Sequence, residues 1–184
     1  MKIAWFFPGQ GSQHAGMAKD VLESSAAARD VFARVDAALG EPLSRLVLEG
    51  PEDELTLTAN AQPAIVATSS ALLAALREKY PALPVPSFAA GHSLGEYSAL
   101  VAAGALSLED AVRVVRARGR AMQDAVPKDV GAMAAVMGIE PDRLRELCEQ
   151  GRSDEVVSPA NFNAPGQIVI AGHAGAVRRV SELV

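Results

Sequence analysis

The spacing of apolar residues along residues 1–80 predicts a strand followed mainly by helices. A short apolar run, "KIAWFF", stops at Pro8 and predicts a buried strand. A helical period then predicts one helix over residues 17–39, which Gly40 ends, and another over residues 62–80. The apolar stripe of the second helix consists of Ile65, Leu72, Leu76 and Tyr80.

A second strand and two more helices are predicted over residues 87–125. The run "SFAAG" predicts a strand, and "EYSALVAAGAL" predicts a helix with almost no polar face, which we expect to be buried. Ser107 and Asp110 form a capping box that predicts a helix over Leu108–Ala125. Because strands and helices alternate, the sequence predicts an α/β fold with a mostly parallel sheet.

The pattern changes after Pro127, where shorter elements predict a second, smaller region. Their order is strand, helix, strand, strand and helix, and the turn "NAPG" joins the two adjacent strands. These are five of the six elements of a split βαβ motif, so we expect the last strand to be missing. A missing strand would leave unpaired backbone groups at a sheet edge. We therefore predict an N-terminal region, residues 1–126, and an incomplete small region, residues 127–184.

Composition and charge narrow the class of protein. The 184 residues are 49% hydrophobic and carry a formal net charge of −5, which indicates a globular chain without the basic face of a nucleic-acid-binding protein. The single cysteine, Cys148, excludes an internal disulfide and is typical of a core residue in a reducing compartment. No apolar run reaches the roughly 20 residues that span a bilayer, and the N-terminus lacks a signal-peptide pattern. We expect a cytoplasmic protein with no membrane or nucleic-acid partner.

The pentapeptide Gly-His-Ser-Leu-Gly, residues 91–95, lies between a predicted strand and a predicted helix. This context is that of a nucleophile elbow, a tight turn that presents the serine oxygen above a sheet. Ser93 is then the candidate nucleophile, and the N–H of Leu94 at the start of the helix is one candidate oxyanion donor. The alternative is a strand-to-helix turn in which Ser93 only caps the helix.

A serine nucleophile needs a general base, and the chain has 3 histidines. His92 is adjacent to Ser93, but neighbouring side chains leave the backbone in different directions, so we expect it to help position the turn. His173 follows the serine, as the order in α/β-hydrolases requires, but it lies at a predicted strand-to-helix turn of the small region. His14 lies in a glycine-rich loop. None of them is a convincing base from the sequence alone.

The helix Leu108–Ala125 carries basic residues on two faces. One face contains Arg113, Arg116, Arg120 and Asp124. Such a composition is typical of a solvated surface. The opposite, apolar face contains Ala111, Val115, Arg118 and Met122. An arginine on that face needs an anion, and its planar fork suits a carboxylate, which is either a bound ligand or a buried Asp or Glu of the chain.

The glycine-rich loop "FFPGQGSQHAG" follows the first predicted strand. A dinucleotide-binding fingerprint requires a third glycine where His14 stands, so that match fails. We interpret the loop as backbone that lies against the active site. The N–H of Gln10 is then the second candidate oxyanion donor.

The chain resembles one family through four motifs: "FPGQGSQ", "GHSLGEYSAL", "RGRAMQ" and "NFNAPGQIVIAG". That family is the bacterial malonyl-CoA:acyl carrier protein transacylases, relatives of the acyltransferase domains of fatty acid and polyketide synthases. The resemblance covers essentially the whole chain. It implies an α/β-hydrolase-like part with an inserted ferredoxin-like subdomain, which matches the two regions predicted above.

The resemblance implies a catalytic role for Ser93, which would carry the acyl group as an ester. The N–H groups of Gln10 and Leu94 would form the oxyanion hole. In the family the catalytic histidine lies in a later segment, after the small subdomain, and this chain ends before it. We therefore expect the 184-residue chain to turn over poorly, since its base is missing.

The resemblance also implies three residues at the substrate. Arg118 would hold the free carboxylate of a malonyl group, and Met122 would line the acyl pocket. His92 would be a motif residue without a direct role in proton transfer. A carboxylate clamp would favour malonyl over acetyl groups, because acetyl leaves the arginine unpaired.

The implied activity is transfer of a malonyl group from malonyl-CoA to the phosphopantetheine thiol of acyl carrier protein, with ping-pong kinetics. These two molecules are the implied partners, no metal or cofactor is implied, and the complete enzyme is expected to be a monomer. Two alternatives use the same residues: a serine esterase or thioesterase of the α/β-hydrolase type, and a non-catalytic fragment that binds acyl groups. Turnover of p-nitrophenyl esters without a carrier protein would indicate the esterase.

Overall fold

The computed structural model of the protein describes residues 2–126 and 130–184. The chain forms two compact units, Met1–Asp124 and Ala125–Val184. The division predicted from the sequence lies close to this one, after residue 126 rather than 124. The first unit contains a parallel sheet and the second an antiparallel sheet, so the chain is a mixed α/β protein.

The first unit is mainly helical in its described residues. Its elements are β1 (Ala4–Phe7), α1 (Lys19–Ser24), α2 (Ala26–Leu39), α3 (Leu43–Glu49), α4 (Glu52–Thr56), α5 (Thr58–Lys79), β2 (Phe88–Gly91), α6 (Gly95–Ala102) and α7 (Leu108–Ala125). The core of this unit lies between helices and includes Phe32, Val35, Leu43, Val66, Val112 and Val115. Burial of this apolar surface is the main stabilising contribution to the unit.

Strands β1 and β2 pair in parallel, with Ala4 opposite Phe88 and Phe7 opposite Gly91. The apolar run correctly predicts a strand, but the prediction that β1 is buried is wrong. Phe6 is 79% exposed and Phe88 is 69% exposed. Parallel sheets are normally larger and are covered by helices on both faces. Within the described residues this sheet has only two strands, and Phe6 and Phe88 remain uncovered.

The helix predicted over residues 17–39 is in fact two helices, α1 and α2, with a break at Ser25. The backbone of Ser25 is extended, at φ −127° and ψ 125°, and its Oγ accepts a hydrogen bond of 3.0 Å from the N–H of Ala28. A serine that caps one helix ends the helix before it, which an apolar period does not reveal. The predicted end at Gly40 is confirmed by its left-handed φ of 69°.

Helix α5 begins at Thr58, earlier than the predicted start at Gln62. Only the first residue of its apolar stripe, Ile65, lies in the core. Ile65 is 3% exposed, whereas Leu72 is 51% and Leu76 is 40% exposed. These stripe residues line a cavity of about 500 Å³ together with residues of β1. The core is filled instead by small side chains in the first half of the helix.

Helix α5 is also long and apolar enough to cross a membrane, with a mean hydropathy of 1.2. The prediction that no apolar run of the chain reaches that length is therefore wrong. However, 61% of the apolar window is buried inside the protein, as is typical of the core helix of a soluble protein.

Helix α7 has the predicted bounds, and its predicted capping box is present. Ser107 Oγ accepts a hydrogen bond of 3.1 Å from the N–H of Asp110 and donates one of 2.7 Å to its carboxylate. The helix before it, α6, is shorter and less buried than predicted. It ends at Ala102, and Leu100 is 38% exposed.

The second unit has the predicted order of strand, helix, strand, strand and helix. Its elements are β3 (Gly131–Met137), α8 (Pro141–Gly151), β4 (Val157–Ala164), β5 (Gln167–His173) and α9 (Ala174–Leu183). The sheet is antiparallel, in the order β3-β5-β4, and α8 and α9 pack on it. The turn between β4 and β5 has Gly166 at φ 74°, after Pro165, as a type II turn requires.

The core of the second unit lies between its sheet and its two helices. It includes Val136, Leu144, Leu147, Val157, Ile168, Ile170 and Val180. Cys148 belongs to this core, as predicted, and is 2% exposed. Burial raises the pKa of the Cys148 thiol, and the charge of Glu149 adds to this effect. The cysteine is therefore a packing residue rather than a nucleophile.

Candidate active site

Ser93 lies in a strained turn between the end of β2 and the start of α6. Its φ is 53°, a left-handed conformation that a residue other than glycine adopts rarely. The two flanking glycines are required by close approach. A Cβ on Gly91 would lie 1.9 Å from the carbonyl carbon of Gly95, and a Cβ on Gly95 would lie 2.5 Å from the carbonyl oxygen of Phe7. Strand, strained serine and helix therefore have the geometry of a nucleophile elbow.

Leu94, the residue after the serine, is the N-cap of α6. Its side chain is fully buried in the core of the first unit, so the position of its backbone is held by packing. Its N–H has no hydrogen-bond acceptor within residues 2–126 and 130–184. A free N–H at a helix start, next to the serine, is able to bind a developing oxyanion.

The glycine-rich loop lies against the elbow, as we predicted. A Cβ on Gly9 would lie 2.5 Å from Nδ1 of His92, so the loop backbone touches the imidazole ring. Gln10 follows Gly9, and its side chain donates a hydrogen bond of 3.2 Å to Oγ1 of Thr58. Its backbone N–H, like that of Leu94, has no acceptor in the described part of the chain.

Arg118 lies beside Ser93. Its Nη2 donates a hydrogen bond of 3.1 Å to Ser93 Oγ, and its Nη1 donates one of 2.6 Å to Oε1 of Gln62. Both acceptors are neutral, and among the described residues Arg118 forms no ion pair with an Asp or Glu. Of the two anions that the sequence left open, the buried carboxylate of the chain is therefore absent from the described residues, and the charge is available to a ligand.

Arg116 is the buried arginine of α7, and the prediction that it lies on a solvated face is wrong. It is 8% exposed, donates to the Ala59 carbonyl at 2.9 Å, and also bonds Asn60 and the carboxylate of Glu41. Pro63 has no N–H, so the Ala59 carbonyl lacks its usual helical partner. Burial lowers the pKa of Arg116, and the charge of Glu41 partly offsets that effect.

Gln62 is a site residue that the sequence analysis missed. Its side chain is 0% exposed, and it contacts two of the predicted substrate residues. Oε1 accepts from Arg118, and Nε2 donates to the sulfur of Met122 at 3.4 Å. Met122 itself is 48% exposed. The only signal for Gln62 in the sequence is a polar residue before Pro63 in an otherwise apolar run.

Two of the three histidines bind backbone groups of their own surroundings. Nδ1 of His14 lies 3.1 Å from the Ala15 carbonyl, and Nδ1 of His173 accepts a hydrogen bond of 3.0 Å from the N–H of Val156 in the second unit. His92 lies on Gly9, as described above. No group of three or more His, Cys, Asp or Glu among the described residues is arranged to hold a metal.

Residues 4–184 match the acyl transferase domain family. The chain belongs to this family. The assignment expected from the four sequence motifs is thereby confirmed. A malonyl CoA-acyl carrier protein transacylase of Bacillus subtilis (strain 168) is 51% identical over 183 residues, which are 99% of this chain and 57% of that protein.

Solved structures of acyl transferases have the same fold as this chain. An acyl-carrier-protein-S-malonyltransferase from Bartonella henselae has a TM-score of 0.91 at 50% identity, over 100% of this chain and 59% of its own. A malonyl-transacylase in complex with its type II PKS acyl-carrier protein has a TM-score of 0.91 at 43% identity, over 99% and 58%. This acyl transferase chain thus spans 57–59% of the length of these three relatives.

Proposed function

We propose that the protein transfers a malonyl group from malonyl-CoA to the phosphopantetheine thiol of acyl carrier protein through an ester on Ser93. The observation that carries this proposal is the 3.1 Å hydrogen bond between Arg118 Nη2 and Ser93 Oγ. A nucleophile and a cation at that distance, where the described residues place no carboxylate on the cation, suit an acyl group that ends in a carboxylate. The Bacillus subtilis relative, a malonyl CoA-acyl carrier protein transacylase, supports the same pair of substrates.

In the first half-reaction, Ser93 Oγ attacks the thioester carbonyl of malonyl-CoA while a base removes the serine proton. The carbonyl oxygen becomes an oxyanion, which the N–H groups of Gln10 and Leu94 bind. Collapse of this intermediate breaks the C–S bond. Coenzyme A leaves as its sulfur takes the proton from the base, and the malonyl group remains as an ester on Ser93.

In the second half-reaction, the phosphopantetheine thiol of acyl carrier protein attacks the ester carbonyl. The base takes the thiol proton and returns it to Ser93 Oγ as the C–O bond breaks. The malonyl group is now a thioester of the carrier protein, and the free serine is restored. One acyl enzyme between two thioesters makes the kinetics ping-pong.

Arg118 is the group that selects the acyl chain. Its guanidinium binds the free carboxylate of malonyl, and Met122, held by the same Gln62, lines the acyl pocket. An acetyl group leaves the guanidinium without an anion, and a charged group left unsatisfied costs about 1–3 kcal/mol or more. His92 packs on Gly9 and supports the elbow without taking part in proton transfer.

The proposal gives none of the three histidines the role of general base for Ser93. Two facts support this part of the proposal: His14 and His173 bind backbone groups, and the ring of His92 lies on Gly9. The 184-residue chain is therefore expected to accept malonyl groups slowly, through its oxyanion donors, and to turn over poorly.

The proposal includes a finer description of the fold. The strand–elbow–helix arrangement of the first unit supports an α/β-hydrolase-like part, of which residues 1–126 are the N-terminal portion. The β-α-β-β-α order of the second unit supports an incomplete ferredoxin-like subdomain over residues 127–184. The complete enzyme is a cytoplasmic monomer that needs no cofactor or metal.

Intact-mass measurement after incubation with malonyl-CoA tests the proposal. We expect the mass of one malonyl group on the chain, slower but measurable labelling with acetyl-CoA, and no labelling in Ser93→Ala. Equal labelling by the two thioesters, or labelling that persists in Ser93→Ala, would contradict the proposal. Rapid hydrolysis of p-nitrophenyl esters without a carrier protein would favour a serine esterase instead.

A further inference from the structure

The first turn of α5, residues 58–62, binds groups from both sides of the candidate site. Oγ1 of Thr58 accepts the side-chain N–H of Gln10 at 3.2 Å, and Oε1 of Gln62 accepts Nη1 of Arg118 at 2.6 Å. The loop with a candidate oxyanion donor and the helix with the candidate carboxylate clamp are thus attached to one turn of one helix.

We infer that Thr58 is a positioning residue. Its hydroxyl holds the glycine-rich loop, so that the N–H of Gln10 and the guanidinium of Arg118 are separated by the distance that an acyl group on Ser93 requires. The catalytic purpose of this contact rests on the proposed function, but the hydrogen bond between Gln10 and Thr58 does not. Gln10 is exposed and its loop contains glycine, so the backbone N–H needs an external attachment to keep one direction.

The turn that provides this attachment is closely packed and has several hydrogen bonds of its own. A Cβ on Gly119 of α7 would lie 2.6 Å from the Thr58 carbonyl oxygen, so the backbones of α5 and α7 touch at this point. Arg116 binds Ala59 and Asn60 in the same turn, and Asn60 also donates to the Glu54 carbonyl at 2.8 Å. A group hydrogen-bonded to such a turn is held more precisely than a group on a free loop.

The Thr58 hydroxyl is not used by its own helix as a cap. The N-cap of α5 is Leu57, which has no side-chain cap bond. Thr56, two residues earlier, donates instead to the Glu52 carbonyl of its own helix at 2.7 Å and is exposed. The two threonines therefore differ in what their hydroxyl groups contact, which makes Thr56 a matched control.

The test compares Thr58→Val, Thr58→Ser and Thr56→Val in the 184-residue chain. Valine keeps the shape of threonine and removes the acceptor oxygen, whereas serine keeps the oxygen. The first measurement is the NMR chemical shift of the backbone N–H and of the side-chain N–H groups of Gln10. We expect both to shift in Thr58→Val and to stay near the wild-type position in Thr58→Ser and Thr56→Val, with the melting temperature unchanged.

The second measurement is the rate at which a fluorophosphonate labels Ser93, because its phosphoryl oxygen needs the same oxyanion donors as a thioester. We expect about a 3- to 10-fold slower rate in Thr58→Val, less than the roughly 10²-fold of a deleted donor, and near-wild-type rates in the other two variants. If Thr58 acted only through the packing of its methyl group, Thr58→Ser would not restore the labelling rate.

The outcomes separate the inference from the proposed function. Unmoved Gln10 resonances in Thr58→Val, or a loss in Thr58→Ser as large as in Thr58→Val, would overturn the inference even if malonyl-CoA labels Ser93. Shifted resonances with serine rescue would support it even if malonyl-CoA does not label the chain, in which case the proposed function fails. If the fluorophosphonate labels no variant, the resonances alone decide.

Discussion

Two arginines on opposite faces of α7 have opposite surroundings. Arg116 is buried and has a carboxylate, a carbonyl and an amide as acceptors, whereas Arg118 has the neutral acceptors Gln62 and Ser93. They are two residues apart, so at about 100° per residue they point about 200° apart around the helix axis. The carboxylate of Glu41 compensates the charge of Arg116, whereas no carboxylate of residues 2–126 or 130–184 pairs with Arg118.

Burial alone does not identify which arginine of α7 is the candidate ligand-binding cation. The more buried arginine has the structural role: it binds the Ala59 carbonyl that Pro63 leaves without a helical partner. The less buried one, Arg118, donates a hydrogen bond to Ser93, the candidate nucleophile. The informative property is the absence of a carboxylate partner within the described residues, because such a cation gains most from an anionic ligand.

Removing Arg118 should have the largest effect. In Arg118→Leu we expect malonyl labelling of Ser93 to fall about 10²- to 10³-fold, as for truncation of one partner of a charge pair, with acetyl labelling little changed. The ratio of the two rates, from intact mass, is the measurement. Arg120→Leu is the control, since Arg120 is an exposed residue of the same helix. An unchanged ratio in Arg118→Leu would remove the basis for a carboxylate clamp.

Removing Arg116 should lower stability and change selectivity much less than removing Arg118 does. Arg116→Leu leaves the Ala59 carbonyl and Asn60 without their donor. We expect a loss of about 2–3 kcal/mol in urea unfolding, below the 3–5 kcal/mol of a fully buried pair because the Glu41 carboxylate is 39% exposed. A malonyl-to-acetyl ratio that falls as far in folded Arg116→Leu as in Arg118→Leu would contradict the distinction between the two arginines.

Gln62→Glu should make the surroundings of Arg118 resemble those of Arg116. The substitution keeps the size of the side chain and places a carboxylate on the guanidinium, which then competes with the malonyl carboxylate. We expect roughly tenfold slower malonyl labelling, from the loss of a charge-assisted contact worth about 1.5 kcal/mol, and unchanged acetyl labelling. Faster malonyl labelling would show that Arg118 does not contact the ligand.

Ser107→Ala should have the smallest effect and should not distinguish the two arginines. Ser107 caps α7, the helix that carries both, and loss of an N-cap costs about 1 kcal/mol. We expect that loss in chemical denaturation and an unchanged malonyl-to-acetyl ratio. A changed malonyl-to-acetyl ratio in Ser107→Ala would mean that the position of Arg118 depends on the start of α7 rather than on Gln62.

The start and end of α7 and the elbow were predictable because each depends on neighbouring residues. The capping box joins Ser107 to Asp110, and the strained turn joins Gly91, Ser93 and Gly95. Such short-range signals are in the sequence itself. The break at Ser25 is local as well, but a serine inside an apolar period does not reveal whether it caps or continues a helix.

The exposure of β1 and the burial of Arg116 were not predictable in this way. An apolar run predicts that a strand forms, but whether Phe6 is covered depends on which elements pack on the sheet. Helical period places Arg116 among polar residues. Arg116 is held in a buried position by its hydrogen bond to the Ala59 carbonyl, which lies 57 positions away in the chain and which Pro63 leaves without a helical partner.

The sequence by itself determined the turn around the candidate nucleophile Ser93 and the motifs of the family, because each depends on residues within a few positions of one another. It also determined that Arg118 differs from the other basic residues of α7, through the helical period. Only the tertiary structure decided which arginine is neutralised and which faces Ser93, since their acceptors lie 25 to 75 residues away in the chain. Charge compensation is a property of contacts in space, and no period within one helix contains that information.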